Sequence, residues 1–398
     1  MKLKRGLYLL GVIALFSLAS CEKYFGDKTD LDFIVKPEFQ NREVAYVPIQ
    51  PVWNSNLIEP TDIIAGFDEL IYVVDAANEQ IICYDEAGRE LGRLKVPGVH
   101  AVSQDRRLNL LALGTQLDTI AGIPYDLTCL YRIELNTSMG YGLRHARIIN
   151  KIVHPFYFKS TFSSSDKEVR FNKVAVLADN SYYITRSGIN NNALKFGGPD
   201  DAVLLFSAKD SLLTPVTITT SGGFFNNYFK SPYGICSFVQ PPQINARGGK
   251  EFIVTSIDNN AVIKVMVIDY VETEFGATYQ PRAMQFEDYS KADGFLISPY
   301  KFSKPLGVTL AGDATQYIFV VDADKDSVYQ FTNTGLEGVK PPPGSVSDKY
   351  QKASFGGSGK TLNTFNRPTA VAYKNQVLYV ADAGNGRILR FKLTLDFD

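Results

Sequence analysis

The chain is poor in the residues that usually carry catalysis. Only three histidines occur, His100, His145 and His154, too few for a His-rich metal centre. No G-x-S-x-G elbow, H-E-x-x-H helix motif or C-x-x-C pair appears, so nucleophilic and zinc-hydrolase chemistry has no local support. No Gly-rich loop opens a helix, which removes the usual phosphate cradle. One carboxylate recurs, as Asp75, Asp322 and Asp382, each at the end of an apolar run before a small polar turn. An aspartate in that place accepts hydrogen bonds from backbone N–H groups two or three residues on, so it recurs because the turn recurs. Four cysteines are spread over 398 residues, which is not a disulfide framework. Cys83, Cys129 and Cys236 sit in apolar, strand-like runs and read as buried free thiols; one disulfide plus one leftover thiol is the alternative.

The elements that hold these residues repeat. LIYVVDAANEQIICYDEAG from Leu70, YIFVVDADKDSVYQFTNTG from Tyr317 and VLYVADAGNGRILRFKLTL from Val377 align without gaps. Beyond the shared aspartate, Ile81, Val328 and Ile388 coincide, then Tyr84, Phe331 and Phe391, and Gly88 matches Gly335. Upstream, Pro60, Pro305 and Pro368 each open a short apolar strand. Weaker copies begin at Pro97, at residues 172 to 178 and at Pro232, where Ser256 replaces the aspartate. Six units of about 60 residues result, each long enough for four short strands. Their inner strands are continuous apolar runs, as sheets covered on both faces require. The 22 Tyr and 26 Phe suit such strands.

The pattern of proline, apolar strand, (I/L)YV(V/A)DA, polar turn and R-I-x-x-F resembles the NHL repeat. The resemblance implies an all-β fold, a six-bladed β-propeller of four-stranded antiparallel blades. The sixth unit ends at its third strand, which would leave an open edge. The strand-like stretch from Val44 to Trp53 is therefore expected to pair with Arg387 to Leu395 and close the last blade. Arg387 matches the arginine of the NHL motif, although its counterparts here are Gln80 and Ser327.

The N-terminus is an address. Lys2, Lys4 and Arg5 precede an apolar stretch from Leu7 to Leu18, too short to span a bilayer. Leu18-Ala19-Ser20-Cys21 resembles the lipobox of bacterial lipoproteins, in which the cysteine thiol carries diacylglycerol and becomes the first mature residue. An ordinary signal peptide with a chance cysteine is the alternative. Residues 1–20 are thus expected to be a lipoprotein signal peptide, 21–43 the lipid anchor and tether, and 44–398 a single propeller domain. Together with the NHL-like repeats, the lipobox resembles the propeller lipoproteins of Bacteroidetes. That implies an outer-membrane lipoprotein outside the cytoplasm, in a surface nutrient-uptake or other envelope complex. Charge nearly cancels, 41 Lys plus Arg against 42 Asp plus Glu, which argues against a dedicated nucleic-acid binder, since that needs a basic face.

Two functional readings follow. In the first, the propeller is a non-catalytic binding module for a protein or carbohydrate partner, without cofactor or metal. The loop SGGFFNNYFKSPYG supplies Phe224, Phe225, Tyr228, Phe229 and Tyr233, flat rings that stack on sugars or proteins, or else fill a gap between blades. Long polar loops at residues 186–200, 240–250 and 339–348 add contact surface. In the second, it resembles the gluconolactonase-like hydrolases and NHL-type lyases, which hold calcium or zinc in the channel. The positions two residues after each opening proline, Asp62, Val99, Gly234, Gly307 and Ala370, are expected to line the channel, with His100 at its border. One carboxylate among five is a poor calcium cage. The binding candidates are accordingly the five aromatics, Asp62, His100 and Arg387.

Overall fold

The computed structural model describes residues 44–397 apart from 243–248, 275, 285–286 and 342–344. Residues 345–347 aside, the described residues belong to one compact unit. Its chain folds into six sheets arranged as a six-bladed propeller, with each innermost strand touching the next and the sixth touching the first. Blade 1 comprises Pro60–Ala65, Ile71–Asp75, Gln80–Tyr84 and Glu90–Lys95; blade 2 comprises Ala101–Gln104, Leu110–Ile120, Ile123–Glu134 and Arg147–Val153. Arg170–Val176, Tyr182–Ser187, Ala202–Phe206 and Leu212–Pro215 build blade 3. Blade 4 is Pro232–Ser237, Phe252–Ser256, Val265–Thr273 and Gly276–Pro281. Blade 5 is Pro305–Leu310, Ile318–Asp322, Ser327–Phe331 and Phe355–Gly356. Pro368–Lys374, Val377–Asp382 and Arg387–Leu393 begin blade 6, and Tyr46–Trp53 completes it from the other end of the chain.

Closure follows the expected pairing, with Tyr46 opposite Leu393 and Trp53 opposite Ile388 in an antiparallel ladder. The apolar residues fall into one layer at each of the six blade junctions. Both faces of every blade are therefore buried, which is why the inner strands lack polar alternation. Blade 4 departs from the four-stranded plan. A hairpin of Ile218–Thr220 and Gly223–Phe225 adds to its outer edge, with Ile218 pairing in parallel with Tyr279.

The recurring proline and aspartate are one device. Pro60 pairs with Asp75, Pro305 with Asp322 and Pro368 with Asp382. Each carboxylate takes N–H groups from the chain arriving at the proline: Ile58 and Glu59 for Asp75, Ser303 and Lys304 for Asp322, Asn366 for Asp382. Only Asp322 also bonds the backbone of the turn ahead, at Asp324 and Lys325. The aspartate therefore fastens the entering chain more than it shapes the following turn. In blade 4 Ser256 occupies the same register and donates to the Lys230 carbonyl instead. Four residues after each aspartate, Glu79, Asp326 and Gly386 all turn left-handed, at φ +52°, +45° and +62°. Gly88 and Gly335 share φ near +94° and +93°, the conformation that favours glycine.

Candidate functional site

Strand direction defines two faces. The innermost strands start on the entry face, which also carries the turns between second and third strands. In blades 1, 5 and 6 those turns are short: Ala76–Asn78 with Glu79, residues 323–326, and Ala383–Asn385 with Gly386. Blades 2, 3 and 4 are different. The second and third strands of blade 2, 11 and 12 residues long, run on into an arm whose tip exposes Leu117 and Ile123. Blade 3 inserts residues 188–201 at the corresponding place, and blade 4 adds its hairpin in the loop that enters it. Blades 2 and 3 thus extend the entry face, and the blade 4 hairpin lies along that blade's outer edge.

A narrow channel runs between the innermost strands at the centre of the ring. Near its entry end Lys173 of blade 3 reaches past blade 2 to Asp62 of blade 1, Nζ to Oδ1 2.6 Å, and donates to the Thr61 carbonyl at 3.2 Å. Asp62 also accepts the N–H groups of Ile63 and Val102. Its acceptor sites are thus occupied by a lysine and the backbone, and the pair lies as a strut across the channel. Below it the lining combines aliphatic residues such as Val174, Ile235, Val308 and Val371 with Gln104, Gln240 and Tyr373, and the surface left open to the channel is more polar than apolar. Gly234, Gly307 and Ala370 line the channel as expected, but Val99 does not. The blades opened by Pro60, Pro232, Pro305 and Pro368 have a register shift just after the proline. Blade 2 pairs without a shift from Ala101 onward, so Val102 takes the lining position and Val99 is buried.

Around the entry end, at five of the six junctions a side chain reaches the chain that forms the next blade's first strand. Thr61 donates to the His100 carbonyl, Asn172 to that of Pro232, Thr255 to that of Pro305 and Thr369 to that of Pro60. His100 completes the set, its Nε2 2.7 Å from the Phe171 carbonyl. Burial lowers its pKa, and its other ring nitrogen, Nδ1, lies 3.2 Å from the Gly98 carbonyl. The sixth junction has Gly307, where an added Cβ would stand 2.8 Å from the Ala370 Cα, so backbone meets backbone there. His100 is placed as an inter-blade latch. Arg387 is likewise engaged: its Nε bonds Asp382 at 2.7 Å and its terminal nitrogens bond the carbonyls of Lys360, Thr361 and Thr364.

The aromatic loop divides. Phe229, 1% exposed, fills the junction of blades 3 and 4 beside Phe252, and half-buried Tyr228 packs edge-on against it. Half-buried Tyr233 has its hydroxyl pKa pushed up to about 12 by burial, with the charge of Asp62 adding to the effect. Phe224 and Phe225 stand at the end of the hairpin, 77% and 38% exposed. Sequence reasoning had no signal for the apolar residues exposed in the blade 3 insertion, Ile189, Leu194 and Phe196, which are 70%, 92% and 75% exposed. Asn226 Nδ2 donates to the Ala193 carbonyl at 2.6 Å and ties the two loops together. Fully buried Arg186 holds the insertion's base through the carbonyls of Gly197, Pro199 and Asp200.

The thiols of Cys83, Cys129 and Cys236 are buried and free. Among the described residues no group of three or more His, Cys, Asp or Glu side chains is arranged to hold a metal ion, and no helix is long and apolar enough to cross a membrane. Cys21 and the tether lie outside the described residues, as does most of the 240–250 loop.

No family model and no curated protein matches the sequence. Solved structures do resemble it. The PQQ-bound form of aldose sugar dehydrogenase from Streptomyces coelicolor superposes with a TM-score of 0.54 at 10% identity, over 88% of this chain and 98% of that one. An auxiliary nutrient binding protein from Bacteroides ovatus gives 0.48 at 14% identity, over 88% and 77% of the two chains. Virginiamycin B lyase from Staphylococcus aureus gives 0.43 at 12% identity, over 88% and 99%. Likeness at this level of identity reaches the fold and not the activity, and the three differ in what they do.

Proposed function

We propose that this protein is a non-catalytic binding module, a propeller held outside the cytoplasm by a lipid on Cys21. The observation that carries the binding reading is the uneven elaboration of the ring: three consecutive blades carry additions, and the blade 3 insertion and the blade 4 hairpin, linked by the Asn226–Ala193 hydrogen bond, each expose apolar side chains to solvent. Binding loops on a rigid scaffold are the ordinary way such folds acquire partners. The channel supports the same reading, because its carboxylate Asp62 is already bound by Lys173 and two N–H groups rather than poised toward open space.

The direction of the chain fits an anchored module. Tyr46–Trp53 runs toward the entry face, so Val44 lies on the opposite one, beside the end of the Arg387–Leu393 strand. A tether of residues 22–43 would join the propeller at Val44, on the face opposite the loops of blades 2 and 3. The test has two arms. Cys21→Ala should release the protein from the membrane fraction, and continued membrane association would count against lipidation. Phe224→Ala with Phe225→Ala should abolish partner capture from envelope extracts without changing the melt; capture at the wild-type level would refute the hairpin as the binding surface. Stoichiometric calcium or zinc in the purified protein would instead favour the hydrolase or lyase reading.

A further inference from the structure

The latches between blades also align the starts of the innermost strands. Thr61, Asn172 and Thr369 each donate to the carbonyl at the opening of the next blade, so the three positions are equivalent. Tyr233 follows Pro232 as Thr61 follows Pro60 and Thr369 follows Pro368. In blade 4, however, the latch comes from Thr255 on the second strand, which donates to the Pro305 carbonyl. Tyr233 is released from that task. Its ring is half-buried, and its hydroxyl makes no hydrogen bond among the described residues. Besides burial, the charges of Asp62 in blade 1 and Arg367 ahead of blade 6 act on that hydroxyl, so the side chain leans into the channel mouth.

One position further on, Asp62 and Lys173 form the strut where blades 4, 5 and 6 have Gly234, Gly307 and Ala370. The fold therefore requires no charge at this level, and a buried ion pair stabilises no better than well-packed aliphatic residues. An ammonium has three donors, of which Asp62 and the Thr61 carbonyl occupy two on Lys173. Just ahead of the strand openings stand Glu59, Arg170, Lys304 and Arg367. Arg367 pairs with Glu59 at 2.6 Å, and Arg170 donates to the carbonyls of Lys167 and Val169. Exposed Lys304 makes no ion pair among the described residues. Arg170, Lys173, Lys304 and Arg367 thus outnumber the carboxylates at these positions, Glu59 and Asp62. Asp326, beside them, already accepts the Arg367 N–H.

From this arrangement we infer that the entry mouth of the channel binds one carboxylated sugar ring, a uronic acid, stacked on Tyr233 with its carboxylate met by the surplus cations. The inference rests on the reading of the protein as a binding module and names a ligand class and its place. An aromatic face free of other duties suits the C–H face of a sugar. Excess positive charge selects an acid over a neutral sugar. The strut lies across the narrow channel beneath, so the ligand is held at the mouth rather than threaded through the ring.

Titration calorimetry of the purified full-length chain with glucuronate tests this, with glucose and acetate as controls. Glucuronate alone offers both ring and charge, so it should bind about tenfold or more tightly than either control, and less tightly as salt is raised. Tyr233→Ala and Lys304→Ala should each weaken glucuronate about tenfold while leaving the melt near that of the wild type. Asp62→Leu with Lys173→Met keeps the channel filled without charge and should fold, yet lose glucuronate. Absence of glucuronate binding, equal affinity for glucose or acetate, or unchanged affinity in Tyr233→Ala or the double variant would each overturn the assignment. The two readings fail separately. If glucuronate does not bind while Phe224→Ala with Phe225→Ala still abolishes partner capture, the binding module stands and this site falls. Glucuronate binding with capture untouched supports the mouth as a site and removes the hairpin.

Discussion

Replacing Trp53 by alanine tests how the ring is fastened. Trp53 ends the closing strand, is 5% exposed and is the only tryptophan in the sequence. Its ring stacks on Tyr84 of blade 1 at 5.1 Å, leans on Tyr379 of blade 6 at 5.6 Å and lies 4.9 Å beneath the guanidinium of Arg390. Gly88 leaves the room it needs, since a Cβ there would come within 2.1 Å of the indole nitrogen. Removing a buried indole of this kind costs about 3–5 kcal/mol. A domain of this length unfolds with an entropy of about 0.7 kcal/mol/K, so Tm should fall by about 4–7 °C. Scanning calorimetry measures that fall directly. In the wild type the red shift of tryptophan emission should coincide with the loss of the β-sheet circular dichroism signal, because the closing strand and the ring open together. Two results would refute the reasoning: a Trp53→Ala melt within about 1 °C of wild type, or an emission change complete well below the global transition.

Asp62→Ala leaves the Lys173 ammonium unpaired inside the channel and should destabilise by about 3–5 kcal/mol; Asp62→Leu with Lys173→Met should recover most of the loss, as chemical denaturation can show. Burial, aided by the nearby Arg186 charge, holds His154 down to about 3, below its unfolded value near 6.5. The unfolded chain therefore takes up this proton first, so the stabilisation is complete above pH 6.5 and is lost as pH falls toward 3, by about 2 kcal/mol at pH 5. His154→Gln should flatten the slope of Tm between pH 6.5 and 4, and an unchanged slope would contradict the assignment. Phe229→Ala should cost about 3–5 kcal/mol while Phe224→Ala shifts Tm by less than about 1 °C, since one ring fills a blade junction and the other stands in solvent. Equal effects in a thermal melt would show that the loop does not divide as described.

Most of the architecture was legible because a propeller repeats its local chemistry. Pro60, Pro305 and Pro368 with their paired aspartates mark the same register in three blades, and Val44 to Trp53 was the unassigned strand that the open last blade required. The site was less legible, for tertiary reasons. Lys173 meets Asp62 only because the ring brings blade 3 back toward blade 1, and no spacing along the chain encodes that meeting. Val99 seemed equivalent to Asp62 by its distance from a proline, but blade 2 lacks the shift that turns that position inward. Phe224 and Phe229 belong to the same aromatic run, and only the packing separates them: Phe224 lies on the outer strand of the hairpin and Phe229 in the junction of blades 3 and 4. Leu194 and Phe196 carried no signal at all, because nothing in a polar, glycine-containing insertion reveals that its apolar residues stay outside.

The seam in blade 6 also governs the order of assembly. Its edge strand, Tyr46–Trp53, is among the first segments of the domain to be synthesised, while its partner, Arg387–Leu393, is among the last. The first five blades can form as they emerge, each against its neighbour, but the ring stays an open arc until nearly the whole domain is available. Until then the early strand has no partner and the arc keeps two raw ends. A chain interrupted before Arg387 is consequently not a slightly shorter propeller but an unclosed one, with apolar faces at both ends exposed to other molecules. Completeness of the polypeptide is built into the fold as a condition for its stability.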